Sequence, residues 1–271
     1  MSRPGFSINR AIARKEWGFD QTVQPFFHKG DDVGCLVLHG FLGTPANMRV
    51  IADALFERGW TVYAPLLSGH GTTLADMDRQ SDEVWISDAF AAYERLRREG
   101  CTQIILIGLS MGGLLASILA QQVECAGLVL LNTPFRMQEY LYRAMKLAGI
   151  VPFLEVHSDP ARAASAYPYN QVYGGLPVRK LRDLERLTIR ARGGLYRIGC
   201  PLLVMQSRQD NKVDLSSVMI TQYGIRSESV RVEWLENSPH GCSYGPEREY
   251  IAKRCVEFAE QALGGSSGNI E

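Results

Sequence analysis

Two patterns of apolar residues alternate along the chain. In one, nearly every position is apolar over a short run. In the other, apolar residues recur every three or four positions. Cys35–His39 (CLVLH), Trp60–Ala64 (WTVYA), residues 103–107 (QIILI), Gly127–Leu131 (GLVLL) and Pro201–Gln206 (PLLVMQ) are of the first kind. Short continuous runs rich in Val, Ile and Leu predict strands covered on both faces. Val230–Leu235 (VRVEWL) predicts a further strand, and Pro25–His28 a leading one. The second pattern fills the gaps. Thr44-Pro45 opens a helix, with Thr as N-cap and Pro at the first helical position. Met48, Ile51, Ala52 and Leu55 give that helix one apolar stripe, and Gly59 closes it. Val84, Trp85, Ala89, Tyr93 and Leu96 predict a helix over Asp82–Arg98, ended by Gly100, and another is expected near Pro246–Leu263.

Strand and helix in alternation predict an α/β architecture with a mostly parallel, doubly wound sheet. Residues 135–199 break the rhythm, with Tyr, Arg and short helical pieces but no buried strand pattern. A stretch of that length is too long for a bare loop in a compact domain. The expected organisation is therefore an N-terminal extension over 1–24, a core over 25–134 and 200–263, a helical cap inserted over 135–199, and a flexible tail over 264–271.

One junction raises a chemical question. Gly108-Leu109-Ser110-Met111-Gly112-Gly113 follows a buried strand directly and opens the apolar run Leu114–Ala120. A strand that becomes a helix within two residues bends sharply, and the apex residue is held in a sparsely populated backbone region. Glycines on either side avoid clashes with neighbouring backbone. The bend lifts the serine hydroxyl clear of the sheet and sets the next N–H at a helix N-terminus, where negative charge is stabilised. The pattern resembles the G-x-S-x-G nucleophile elbow of α/β-hydrolases. A plain Gly/Ser loop is the bland alternative, but it would have polar neighbours.

Such a serine needs an acid and a histidine, in that order along the chain. Catalytic groups in open α/β sheets gather at the carboxyl ends of the strands. The strand at 201–206 ends in Ser207-Arg208-Gln209-Asp210, and the strand at 230–235 in Glu236-Asn237-Ser238-Pro239-His240. The expected triad is Ser110, Asp210 and His240. Asp214 competes as the acid, but it is placed to cap a helix starting near Leu215. The loop His39-Gly40-Phe41-Leu42-Gly43 follows the first buried strand, so Phe41 and Met111 are the expected N–H donors to an oxyanion. His39 and His70 sit in glycine turns where a neutral ring braces backbone. His28 has no partner, and His157 falls in the cap. Leu42, Met145 and Phe153 are the candidate substrate contacts. Met145 and Phe153 belong to an apolar set in 135–199 that also holds Leu141, Leu147, Ile150, Val151 and Leu154, part of which is expected to face the cleft.

Composition narrows the classes. Lys+Arg and Asp+Glu are both 29, so the net charge is zero and there is no basic stripe for nucleic acid. No apolar run approaches membrane-spanning length, and the first residues lack a secretory core. The six cysteines have no CxxC or zinc spacing, which predicts reduced thiols, a cytoplasmic protein and no metal. No organic cofactor is expected, because the triad chemistry is complete without one.

The stretches LVLHGFLGTPANM, GWTVYAPLLSGHGTT, IGLSMGG, LLVMQSRQDNKV and LENSPH together resemble the small bacterial carboxylesterases and monoacylglycerol lipases of the α/β-hydrolase superfamily, over about residues 25–262. The resemblance implies the α/β-hydrolase fold, a helical cap over the site and a small-molecule ester of short to medium acyl chain, monoacylglycerols included. A homodimer is compatible with it. The chain departs from the family beside the histidine, with Ser238-Pro239-His240 where Ser-Gly-His is usual, and Cys242 two residues beyond. Two other readings stand beside the esterase: a C–C bond hydrolase of diketone-type products of aromatic-ring degradation, and a non-catalytic binding protein on the same fold.

Overall fold

A computed structural model describes residues 5–146, 149–158 and 169–264. In chain order its strands are β1 (Gly5–Ile8), β2 (Phe26–His28), β3 (Val33–Leu38), β4 (Thr61–Ala64), β5 (Gln103–Leu109), β6 (Gly127–Leu131), β7 (Phe153–Ser158), β8 (Gly175–Pro177), β9 (Leu202–Ser207) and β10 (Val230–Leu235). The α-helices are α1 (Arg49–Glu57), α2 (Leu74–Arg79), α3 (Asp82–Arg98), α4 (Met111–Ala120), α5 (Glu139–Met145), α6 (Lys180–Gly193), α7 (Ser216–Gly224) and α8 (Arg248–Gly264).

Seven strands form the main sheet in the order β10-β9-β6-β5-β3-β4-β2. All neighbours are parallel except β2, which pairs antiparallel with β4 at the edge. This is the doubly wound sheet expected from the alternation, with the leading strand in place. Successive side chains of each central strand go to opposite faces, as a period of two requires. Leu36, Leu38, Ile104, Leu106, Leu128 and Leu130 join one core, with Trp85 and Leu96 of α3 and Leu114 of α4. Cys35, Val37, Ile105, Ile107, Val129 and Leu131 join the other, with Ile51 and Leu55 of α1 and Ile251 and Phe258 of α8. Each such side chain taken fully out of water contributes about 1.5–3 kcal/mol. Every residue of α4 is buried. An all-round apolar helix belongs in that position, directly behind the elbow.

Two starts and caps follow the sequence. Thr44-Pro45 opens a 3-10 turn over Pro45–Met48 that leads into α1, with Asn47 Oδ1 accepting from the Thr44 N–H at 3.0 Å. Ser81 caps α3 through the Val84 N–H.

The cap departs from the expectation of helices. Residues 153–158 and 175–177 are strands, and they pair antiparallel with each other and with β1 in a separate three-stranded sheet, order β1-β7-β8. Helices α5 and α6 supply the rest of the described insertion. One stretch of the N-terminal extension joins the cap: Gly5–Ile8 lies alongside β7, and Asn9 Nδ2 donates to Glu155 Oε2 at 2.7 Å. The expected tail lies outside the described residues from 265 onward, and so does Leu147.

Candidate active site

Strand β5 runs to Leu109 and α4 begins at Met111, so Ser110 alone makes the bend, at φ 52° and ψ −117°. A non-glycine residue in that region carries about 1–3 kcal/mol of strain, held in place by its surroundings. The glycines are required by close approach. A Cβ on Gly108 would stand 2.2 Å from the Gly112 carbonyl oxygen, and one on Gly112 would stand 2.2 Å from that of Leu38. The Ser110 N–H donates to Leu131 O at 2.8 Å, tying the bend to the end of β6.

Asp210 follows β9 and His240 follows β10. Asp210 Oδ2 is 2.8 Å from His240 Nδ1, and His240 Nε2 is 3.0 Å from Ser110 Oγ. An ionised carboxylate only accepts, so Nδ1 carries the proton and Nε2 is left to accept from the serine hydroxyl. The other carboxylate oxygen, Oδ1, accepts from the Lys212 and Val213 N–H groups at 2.8 and 2.9 Å. These bonds fix the carboxyl plane. Asp214 stands apart and accepts from the Ser216 N–H at 2.9 Å, at the start of α7. The Ser216 side chain first, and its N–H second, hold the Asp214 carboxyl below the usual range.

The loop after β3 lies against the serine, where a Cβ on Gly40 would be 3.3 Å from Ser110 Cβ. Gly43 N–H donates to Gly40 O at 3.1 Å, and Leu42 adopts φ 64°. Among the described residues no acceptor engages the backbone N–H of Phe41 or of Met111. His39 braces this loop. Its Nε2 accepts from the Leu67 N–H at 3.1 Å, so its Nδ1 donates to Gly40 O, 2.9 Å away. Burial pulls its pKa down to about 4, and that of His70, packed edge-on to it, well below the ordinary value. Both rings stay neutral, as expected of glycine-turn histidines. His28 stacks on Phe56.

Sequence reasoning missed Asn132. It follows β6 at φ 43°, fully buried, with Oδ1 accepting from the Ser207 N–H at 2.7 Å and Nδ2 donating to His240 O at 2.8 Å. Asn132 thereby joins the acid-bearing turn to the histidine loop. Ser207 Oγ also donates to Ser238 O. These bonds hold the Pro239 loop that differs from the usual pattern. The signal was an asparagine directly after the buried run GLVLL, at the strand end beside Ser110. Cys242 is fully buried behind the loop, and burial pushes its thiol up.

A cavity opens above Ser110 and His240. Phe41 and Leu42 line one wall, Met137, Tyr140 and Leu141 another, and Leu176, Leu181 and Leu184 the roof. Leu42 is there as expected, but Met145 and Phe153 are not. Both pack against the core cluster, as Leu42 and Leu141 also do, but outside the cavity lining. Met145 lies one helical turn past Leu141 at the end of α5, and Phe153 pairs with Pro177 inside the small sheet.

A family model described as serine aminopeptidase, S33 matches residues 32–245. The chain is 31% identical over 244 residues to a thermostable monoacylglycerol lipase of Bacillus sp. (strain H-257), covering 89% of this chain and 96% of that one. It is 28% identical to a carboxylesterase of Bacillus subtilis (strain 168), covering 89% and 97%. A solved structure of a metagenome-derived lipolytic enzyme superposes with a TM-score of 0.82 at 31% identity, covering 90% of this chain and 99% of the other.

Proposed function

Because the chain belongs to the serine aminopeptidase S33 family of α/β-hydrolases, we propose that it is a serine carboxylester hydrolase acting on short- to medium-chain acyl esters, monoacylglycerols included. The observation that carries the mechanism is the continuous path from Ser110 Oγ to His240 Nε2 at 3.0 Å and from His240 Nδ1 to Asp210 at 2.8 Å. In this reading His240 takes the hydroxyl proton as Ser110 Oγ attacks the ester carbonyl. The Phe41 and Met111 N–H groups accept the charge that develops on the carbonyl oxygen. His240 then gives its proton to the leaving alcohol. Water, activated by the same imidazole, releases the acid from the acyl-serine.

The ester reading is favoured over peptide cleavage by the cavity. An aminopeptidase must hold a protonated amino terminus, and a carboxylate is the ordinary partner for that charge. No carboxylate lines the cavity among the described residues, whereas leucines, Met137 and aromatic rings do. Hydrolysis of nitrophenyl esters of increasing acyl length, of monoacylglycerols and of an aminoacyl-nitroanilide tests the proposal. The esters should turn over with a burst of nitrophenol and the anilide should not. Efficient anilide cleavage without ester turnover would overturn it.

A further inference from the structure

Four of the six cysteines, Cys35, Cys101, Cys242 and Cys255, are buried, and burial pushes each thiol above its ordinary value. Such thiols are inert. Cys125 and Cys200 differ. They lie 75 residues apart in sequence, yet their sulfur atoms are 3.3 Å apart. Both are partly exposed at the floor of a surface cleft whose walls include Tyr93, Arg97, Glu124 and Arg197. The cleft is remote from the proposed triad. Cys125 stands two residues before β6 and Cys200 two before β9, adjacent parallel strands joined in register at Leu128 and Leu202. Both cysteines therefore sit at the amino-terminal edge of the sheet, and Ser110, Asp210 and His240 at the carboxyl edge. The Leu128 N–H donates to Pro201 O at 2.9 Å, which holds the two chain segments together beside the sulfurs.

We propose that Cys125 and Cys200 form an oxidisable dithiol that reacts with hydroperoxides to give a disulfide. Their sulfurs need approach by only a little over 1 Å to reach a bond of about 2.05 Å. The Cys125 thiol donates to Cys200 Sγ, and this bond draws the Cys200 thiol below its ordinary value. Cys200, whose thiolate this contact would stabilise, is assigned as the attacking sulfur. It displaces at the O–O bond of the hydroperoxide, becomes a sulfenic acid, and releases the other oxygen as an alcohol or, from hydrogen peroxide, as water. Cys125 sulfur then attacks Cys200 sulfur, its proton leaves with the sulfenic oxygen, and water departs. With hydrogen peroxide the sum is two thiols and one peroxide giving one disulfide and two waters. The two electrons lost by sulfur are gained by oxygen. The bridge closes a ring that contains the whole of residues 135–199. It restricts the unfolded chain by a long loop without touching the carboxyl edge.

The test is to oxidise the reduced protein with a small excess of hydrogen peroxide. Non-reducing peptide mapping should find Cys125 linked to Cys200. The melting temperature should rise by roughly 5–10 °C, as a long closed loop implies, and return with dithiothreitol. Ester hydrolysis should change less than about twofold. Cys125→Ser should lose the shift and instead accumulate a dimedone-reactive sulfenic acid on Cys200, while Cys200→Ser should lose both. A different linked pair, no linkage, or a lowered melting temperature on oxidation would overturn the proposal. Dimedone capture on Cys125 in Cys200→Ser would overturn the assignment of the attacking sulfur.

Discussion

The carboxyl edge of the sheet and the cap above it are built by different rules. At the edge, each functional position follows its own strand by a few residues. Ser110 follows β5, Asn132 follows β6, Asp210 follows β9, and His240 follows β10. Short backbone and side-chain hydrogen bonds then lock these turns to one another. The cap instead joins chain segments far apart. Its small sheet pairs Gly5–Ile8 with residues about 146 to 153 positions later. Its roof over the cavity comes from one face of α6 and the short strand β8. The difference assigns separate tasks. The edge should decide whether a bond is cleaved, and the cap which acyl chain is accepted.

The comparison breaks most sharply at the serine. Ser110→Ala should lower kcat by about five to six decades with the melting temperature held, the scale seen when a triad nucleophile is removed. Next comes the acid. Asp210→Asn should cost about four decades, because an amide offers His240 the wrong partner and tautomer. Asp214→Asn, which removes only a local turn contact, should cost about 1 kcal/mol of stability or less and leave kcat within a few fold. Steady-state kinetics beside thermal melts separate the two carboxylates. Asn132→Ala should lower kcat by about two decades, since it frees the His240 loop from the Ser207 turn and misplaces the imidazole. The accompanying KM should move little.

The cap variants should show the opposite profile. Leu184→Ala or Leu176→Ala should shift discrimination between neighbouring acyl lengths by about 1–3 kcal/mol per change in pocket fit, with fluorophosphonate labelling intact. Met145→Ala and Phe153→Ala should lower stability by about 1–3 kcal/mol and keep the parent's chain-length profile. A chain-length profile that moved with Met145 and stayed with Leu184 would invert the division between cavity wall and core. The smallest effect on activity is a pH effect on stability. His39 is neutral when folded down to about pH 4, whereas its unfolded value is 6.5. Below 6.5 the unfolded chain takes up the proton first, so stability is full above 6.5 and falls as pH drops toward 4, by about 3 kcal/mol from this group. His70 acts in the same direction. Urea melts across that range should show the slope, and His39→Gln should flatten it.

The edge was legible because its signals are local. Gly108, Gly112 and the apolar runs around them can be read within about ten residues, and an acid and a histidine each follow a run that could only be a strand. Asn132 is equally local, directly after the buried run GLVLL at the strand end beside Ser110. The cap was not legible. Phe153–Ser158 (FLEVHS) lacks a continuous apolar run and Gly175–Pro177 (GLP) spans only three residues, and each becomes a strand by pairing with a partner elsewhere in the chain. Leu141 and Met145 share one face of α5, a turn apart, so which of them meets the cavity depends on where the helix starts and ends over it. That is fixed by contacts such as the Tyr142 hydroxyl near the Met137 N–H, which no periodicity reports.

The central claim is that Ser110 is the nucleophile. The most direct measurement is intact-mass and peptide mapping after reaction with a fluorophosphonate. One adduct per chain on Ser110, absent from folded Ser110→Ala, is the predicted result. An adduct on another residue, or one that persists in Ser110→Ala, would contradict it.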